Sequence, residues 1–243
     1  MVFNNLLNFI NNSYIFSKKK ISSLYLGSNV YNRKITSSIV GSLEYYPSPS
    51  LLDSIIKYDK KKINIENYSL NKIWNNKKLK KKDYKSLNSF YWLFSLDLRS
   101  SKKETQNIIL QWIAKNHRYN SKSWEVDMLA KRIIAWTSNS RLTYEDSDTD
   151  YRDKFNAVIK KQINHLVNEI EGSERVDDKM IGCAAIILTG LSYQDKDGYL
   201  KIGLSLLKKL VKFSFDNDSF PKSRSIRQLC FYLKYFILIR EWF

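Results

Sequence analysis

Glycine and proline are scarce, with seven and three residues in a chain of 243. All-β and α/β folds use these residues for tight turns and bulges, so their scarcity points to helices. Cysteine is nearly absent as well. Cys183 and Cys230 offer no spacing that resembles a metal site or a disulfide framework, and both fall inside apolar helical patterns, so both are expected as buried free thiols. No metal or cofactor is expected. Long apolar runs are missing: no stretch approaches the roughly 18 consecutive apolar residues of a spanning helix, so no transmembrane segment is expected. At the N-terminus the apolar residues of 1–16 precede the cluster Lys18-Lys19-Lys20, the reverse of the order in a cleavable signal peptide. The default expectation is therefore a cytoplasmic chain.

Positive charge is abundant. Lys+Arg number 41 against 24 Asp+Glu, a net charge of +17, so the surrounding field attracts polyanions: nucleic acid, anionic lipid or acidic polysaccharide. Codon bias toward Lys, Asn, Ile and Tyr is the competing source of the same charge.

Residues 1–50 are weakly patterned and end in Tyr45-Tyr46-Pro47-Ser48-Pro49-Ser50, where two prolines bar helix continuation. They are expected to form an extension and linker, with residues 51–243 as one helical domain. A lysine- and asparagine-rich tract over 57–85 holds Trp74. Helical periodicity then takes over. Leu87, Tyr91, Phe94 and Leu98 form one stripe, and Thr105, Ile108, Ile109, Trp112 and Ile113 a second. Val126, Leu129, Ile133 and Trp136 form a third. A longer helix follows, with Phe155, Val158, Ile159, Leu166, Val167 and Ile170 inside and Gly172 as its stop. Met180, Ile181, Ala184, Ala185, Leu188 and Leu191 define the next, whose small residues permit close packing. Two more span 200–215, with Lys208, Lys209 and Lys212 outside, and 226–243, with Leu229, Leu233, Phe236 and Ile237 inside. Short connections between such helices make antiparallel hairpins, which build a solenoid or a closed ring. The absence of a fixed repeat period weighs against a solenoid.

One ordered set of motifs stands out: Leu87-Asn88-Ser89-Phe90-Tyr91-Trp92-Leu93-Phe94, then Gln111-Trp112-Ile113, then Trp124, then Ala130-Lys131-Arg132-Ile133-Ile134-Ala135-Trp136. It resembles the N-terminal helical domain of heparinase II/III-like polysaccharide lyases over about residues 70–243. Weaker similarity continues through 185–191 and 206–224, including Asp218-Ser219 and Arg224-Ser225. The resemblance implies an all-α fold, an incomplete α/α toroid of antiparallel helix hairpins, that binds acidic, uronic-acid-containing polysaccharide. It also implies β-elimination chemistry, in which an amide or cation neutralises the substrate carboxylate while Tyr and His act as base and acid. Members usually carry a β-sandwich domain after the toroid, and lyases of the family are often periplasmic. Two departures bear on activity. Asp177 stands near the usual neutralising Asn, and Gln228 near the usual Tyr. A carboxylate repels the substrate's own, and an amide is no general base, so no catalytic residue is assigned and lyase activity is expected only in a full-length context.

Substrate-binding candidates follow from residue type and setting. The Asn116-His117-Arg118-Tyr119 stretch sets an imidazole beside a cation and a phenol, suited to gripping an acidic sugar or serving simply as a surface loop. His165 is expected to be structural, pairing with Glu169. Trp74 and Trp124 stand among polar residues, where an indole stacks on a pyranose or packs over a hairpin end. Arg132, expected to turn away from the core stripe, forms a structural ion pair or holds a carboxylate. Lys222, Arg224 and Arg227 cluster at a helix start, where free N–H groups also favour anions. Acidic polysaccharide is the first expected partner. Nucleic acid or another polyanion, bound by a basic helical module, is the second, and a helical scaffold without a ligand is the third.

Overall fold

The computed structural model describes residues 21–36, 41–48, 52, 79–96 and 102–243. The chain is all-α: among the described residues there is no β-strand, only isolated bridges such as Phe215 with Pro221. After helical residues 21–26, the elements are α1 (Asn29–Thr36), α2 (Lys81–Ser89), α3 (Lys102–Asn116), α4 (Val126–Ser138), α5 (Thr149–Glu169), α6 (Val176–Ser192), α7 (Lys201–Ser214) and α8 (Ile226–Trp242). A single turn, Ser140–Thr143, links α4 to α5. A 3-10 turn, Ile170–Gly172, ends α5 where Gly172 was expected to stop it, and a π-type turn, Lys196–Leu200, leads into α7.

Local chemistry sets several boundaries. The Asp148 carboxylate caps α5 by accepting the Tyr151 N–H at 2.7 Å, and Ser225 caps α8 by accepting from the Gln228 N–H at 3.3 Å. The Asp195 carboxylate accepts N–H groups of Gly198 and Tyr199 and so shapes the π-type turn.

The stripe expected to run from Leu87 to Leu98, the last of which lies outside the described residues, is instead cut at Phe90, which adopts φ 57° and is followed by a 3-10 turn, Tyr91–Ser95. Left-handed backbone costs a non-glycine residue about 1–2 kcal/mol. Burial of a phenylalanine side chain returns about 1.5–3 kcal/mol. The turn swings Phe90 wholly into the core, where its ring lies 5.1–6.2 Å from those of Trp92, Trp112 and Trp136.

Helices two apart in the chain are neighbours: α2 with α4, α4 with α6, α6 with α8, and α3 with α5. α6 is the hub, packing on α4, α5, α7 and α8. Its Ala184 and Ala185 are fully buried, and its glycines set the approach of the next helix. A Cβ on Gly190 would lie 2.7 Å from the Leu200 Cα, and one on Gly203 of α7 would lie 2.7 Å from Ile187 Cγ1. Close helix contact here requires the missing side chains.

The described parts of residues 1–50 contribute side chains to this core. Tyr31 and Ile35 of α1 are buried against α5, and Leu43 is buried as well. Residues 41–48 run extended along the end of α6, with the N–H groups of Glu44 and Tyr45 both donating to the Ser192 carbonyl.

Two expectations about α8 are corrected. Leu233 and Ile237 face solvent, and the inward face is Tyr232, Tyr235, Leu238, Ile239 and Trp242. Cys230, on the same outer side as Leu233, is exposed, whereas Cys183 is buried, with its thiol pushed up to about 12 by desolvation. Both faces of α8 are apolar, so periodicity alone does not say which one packs.

Candidate functional site

The first turns of α4, α6 and α8 meet at one rim. Lys85 of α2 pairs with Glu125, just before α4, and lies 3.7 Å from Asp127 in its first turn. Asp127 also pairs with Lys131 at 3.6 Å. Asp178, in the first turn of α6, lies within the field of Asp127, Lys85 and Lys131 and pairs with Arg175 at 3.8 Å. Burial raises its carboxyl, and the neighbouring Asp127 charge raises it further against the three cations. Next to it, Asp177 accepts a hydrogen bond at 3.2 Å from the Gln228 amide in the first turn of α8. The acidic first turns of α4 and α6 therefore offset the positive ends of those helices along the rim.

The Gln228 amide is fixed from both ends. Its Nε2–H donates to Asp177, and its Oε1 accepts the Ser223 hydroxyl. One turn further along α8 the Tyr232 phenol is fully buried beside Ser214 and within the field of Asp177, without a well-formed hydrogen bond. Burial raises it, and Asp177 raises it further, while Ser214 acts in the opposite direction. A phenol held this way is a poor general base near neutral pH. Periodicity could have flagged Tyr232, four residues after Gln228, but not its proximity to Ser214 or Asp177.

The loop that leads into α8 carries the cations. Asp216 Oδ1 accepts the N–H groups of Asp218 and Phe220, and these bonds together with Arg224 hold the carboxyl below its ordinary value. Arg224 sits in left-handed backbone, φ 56°, with its guanidinium 2.8 Å from Asp216 Oδ2 and over the Phe220 ring. Lys222 is exposed with its ammonium over Phe213, and Arg227 is exposed on α8. Arg224 is thus partly neutralised, and Lys222 and Arg227 carry the outward positive field.

Among the candidates between residues 116 and 132, all but His117 are engaged in packing or hydrogen bonding within the fold. Trp124 is buried rather than open to a sugar ring, and its indole N–H donates to the Asn116 carbonyl at 3.0 Å. The Asn116 side chain bonds the Trp112 carbonyl and the Ser123 hydroxyl. Tyr119 is half-buried against Tyr31, Trp124 and His165. His117 is exposed at the end of α3. Arg132, expected to turn away from the core, is fully buried. Its fork donates to Gln162 Oε1 at 2.8 Å, to the Asn88 carbonyl at 2.8 Å and to the Ser123 carbonyl at 3.1 Å, with the guanidinium 4.0 Å over the Trp112 ring. Desolvation pushes the guanidinium down to about 9. Trp124 and Arg132 are therefore structural, because helix neighbours on several sides of α4 enclose them. Trp74 lies outside the described residues.

His165 does not reach Glu169 as expected. Its Nδ1 accepts the Tyr31 hydroxyl at 2.7 Å, and its other ring N–H donates to the Trp124 carbonyl, so the ring is held neutral. Burial pushes it down to about 4 from an ordinary 6.5. The depressed value favours the neutral folded form above pH 6.5, and stability falls as the pH drops through the interval to 4. Linkage puts the loss at about 3 kcal/mol. Urea midpoints measured between pH 7 and pH 4 are expected to show it, with a much smaller fall in His165→Gln.

Among the described residues no group of three or more His, Cys, Asp or Glu is placed to hold a metal ion, and no helix is long and apolar enough to cross a membrane. No protein-family model, no curated protein and no solved structure matches the chain.

Proposed function

We propose that the chain is the N-terminal helical part of a heparinase II/III-like polysaccharide lyase, an incomplete α/α toroid, and that it binds uronic-acid-containing polysaccharide along the rim where α4, α6 and α8 begin. The observation that carries this reading is the meeting of Asp177 and Gln228 at 3.2 Å. These positions, 51 residues apart, stand near the ones that hold the neutralising amide and the base in the family the sequence resembles. The side-by-side arrangement of α2, α4, α6 and α8, with α3, α5 and α7 between them in sequence, also accords with a ring of hairpins.

In this reading Lys222 and Arg227 attract the uronate carboxylates, and the Gln228 amide and Asp177 carboxylate bond sugar hydroxyls. Elimination is a separate matter. Asp177 opposes a substrate carboxylate, Gln228 cannot take a proton, and the Tyr232 phenol is buried with its proton held. The rim therefore binds without cleaving unless further groups complete it.

Fluorescence titration with a labelled polygalacturonate oligosaccharide tests the reading. Affinity is expected to fall at least tenfold in Lys222→Glu/Arg227→Glu, a loss of ~1.4 kcal/mol, with no unsaturated product formed. Unchanged affinity in that variant would remove the rim from the binding site. The net charge of +17 favours a second reading, a basic helical module for nucleic acid, in which affinity follows phosphate charge rather than sugar.

A further inference from the structure

The outer face of α8 carries Ile226, Cys230, Leu233 and Ile237, spaced four, three and four residues apart. That spacing is a heptad seam, about 16 Å long at 1.5 Å per residue. It lies on the side of the helix opposite Tyr232, Tyr235, Ile239 and Trp242, which pack inward. Ile226 is 71% exposed, Leu233 45% and Ile237 40%. A helix with two apolar faces is ordinarily covered on both. Here one face of α8 packs on α6, and among the described residues no element packs on the other.

The flanking charge says what fits. Arg227 and Lys234 line one side of the seam, and Arg240 stands near its end. The acidic residue of α8, Glu241, is already bonded to Arg240 at 2.5 Å. A second copy of the same face would bring these cations against their own kind. An acidic helix satisfies both the seam and its flank.

We infer that the outer face of α8 is a docking seam for an amphipathic α-helix with acidic flanks, seated on Ile226, Cys230, Leu233 and Ile237 and paired with Arg227 and Lys234. A three-turn seam is smaller than a standard interface, so the complex is a transient one with Kd on the order of 10 μM.

The probe is a synthetic amphipathic helix with leucines at the seam positions and glutamates on both flanks, compared with the same peptide carrying lysines. The full chain is expected to bind the glutamate peptide at least tenfold more tightly than the lysine peptide. Leu233→Asp/Ile237→Asp, both outward-facing, should weaken it at least tenfold with an unchanged melting curve. Arg227→Glu/Lys234→Glu should reverse the preference and favour the lysine peptide. Equal binding of the two peptides, or binding indifferent to the Leu233 and Ile237 substitutions, overturns the inference. So does sedimentation showing that the chain dimerises through this face, or flotation on phosphatidylglycerol vesicles that the same substitutions abolish.

Discussion

Arg132→Met is expected to destabilise the protein by about 3–5 kcal/mol, measured by urea denaturation at neutral pH. The methionine fills much of the volume but donates nothing. It leaves Gln162 Oε1 and the carbonyls of Asn88 and Ser123 buried without the donor they now share. These acceptors belong to α5, the end of α2 and the loop before α4, so one side chain ties three segments together. The Trp112 ring also loses its cation at 4.0 Å. Arg132→Lys keeps the charge but not the planar fork and should fall between the two. Lys131→Met, next in sequence, removes only the partly exposed pair with Asp127 and should cost less than about 1 kcal/mol. If Arg132→Met and Lys131→Met behave alike, Arg132 is not the tie described here.

Gly190→Ala should cost about 3 kcal/mol despite the helix preference for alanine. The new methyl group would stand 2.7 Å from the Leu200 Cα and 2.8 Å from its Cβ, closer still to its nitrogen. The nitrogen and Cα are backbone atoms of the turn that leads into α7 and they fix the Cβ, so no side-chain rotation relieves the clash. Either α7 moves off α6 or the π-type turn reforms. Gly172→Ala is the matched control, because nothing lies within 4 Å of a Cβ there. It should be neutral or slightly stabilising through the unfolded chain. Thermal melts of the two variants separate contact from propensity, and equal shifts would contradict the close approach of α6 and α7.

The helices most legible in the sequence are those whose environment is one-sided. The stripe of α3 predicted its buried residues because polar residues mark the other face, and that of α5 predicted Phe155, Val158, Ile159 and Leu166 but missed Tyr151 and Ile163 and included the half-buried Val167. α8 misled because both faces are apolar, and the pattern holds no information about which one meets α6. Phe90 misled differently, since a left-handed residue is paid for by tertiary packing that no local rule contains. The polar neighbours of Trp124 leave stacking on a sugar and packing over a hairpin end both open, and only the fold decides, by setting its indole against His165, distant in the chain. Arg132 reads as a surface cation until α2 and α5 supply its acceptors. At the candidate site, the resemblance pointed to Asp177 and Gln228, and Lys222, Arg224 and Arg227 were visible as a cluster. Its buried half depends on contacts across three helices: spacing from Gln228 marks Tyr232, but nothing in the sequence brings Ser214 and Asp177 to it.

A competition experiment reaches the proposed function most directly. The chain is loaded with a labelled polygalacturonate oligosaccharide and titrated with unlabelled polygalacturonate or duplex DNA at equal concentrations of anionic charge. Displacement by the uronic polymer at a concentration at least tenfold lower than by DNA is the expected result, because carboxylates and sugar hydroxyls together match the rim. Equal or stronger displacement by DNA would mean that charge alone drives binding, and would contradict the assignment of the rim as a polysaccharide site.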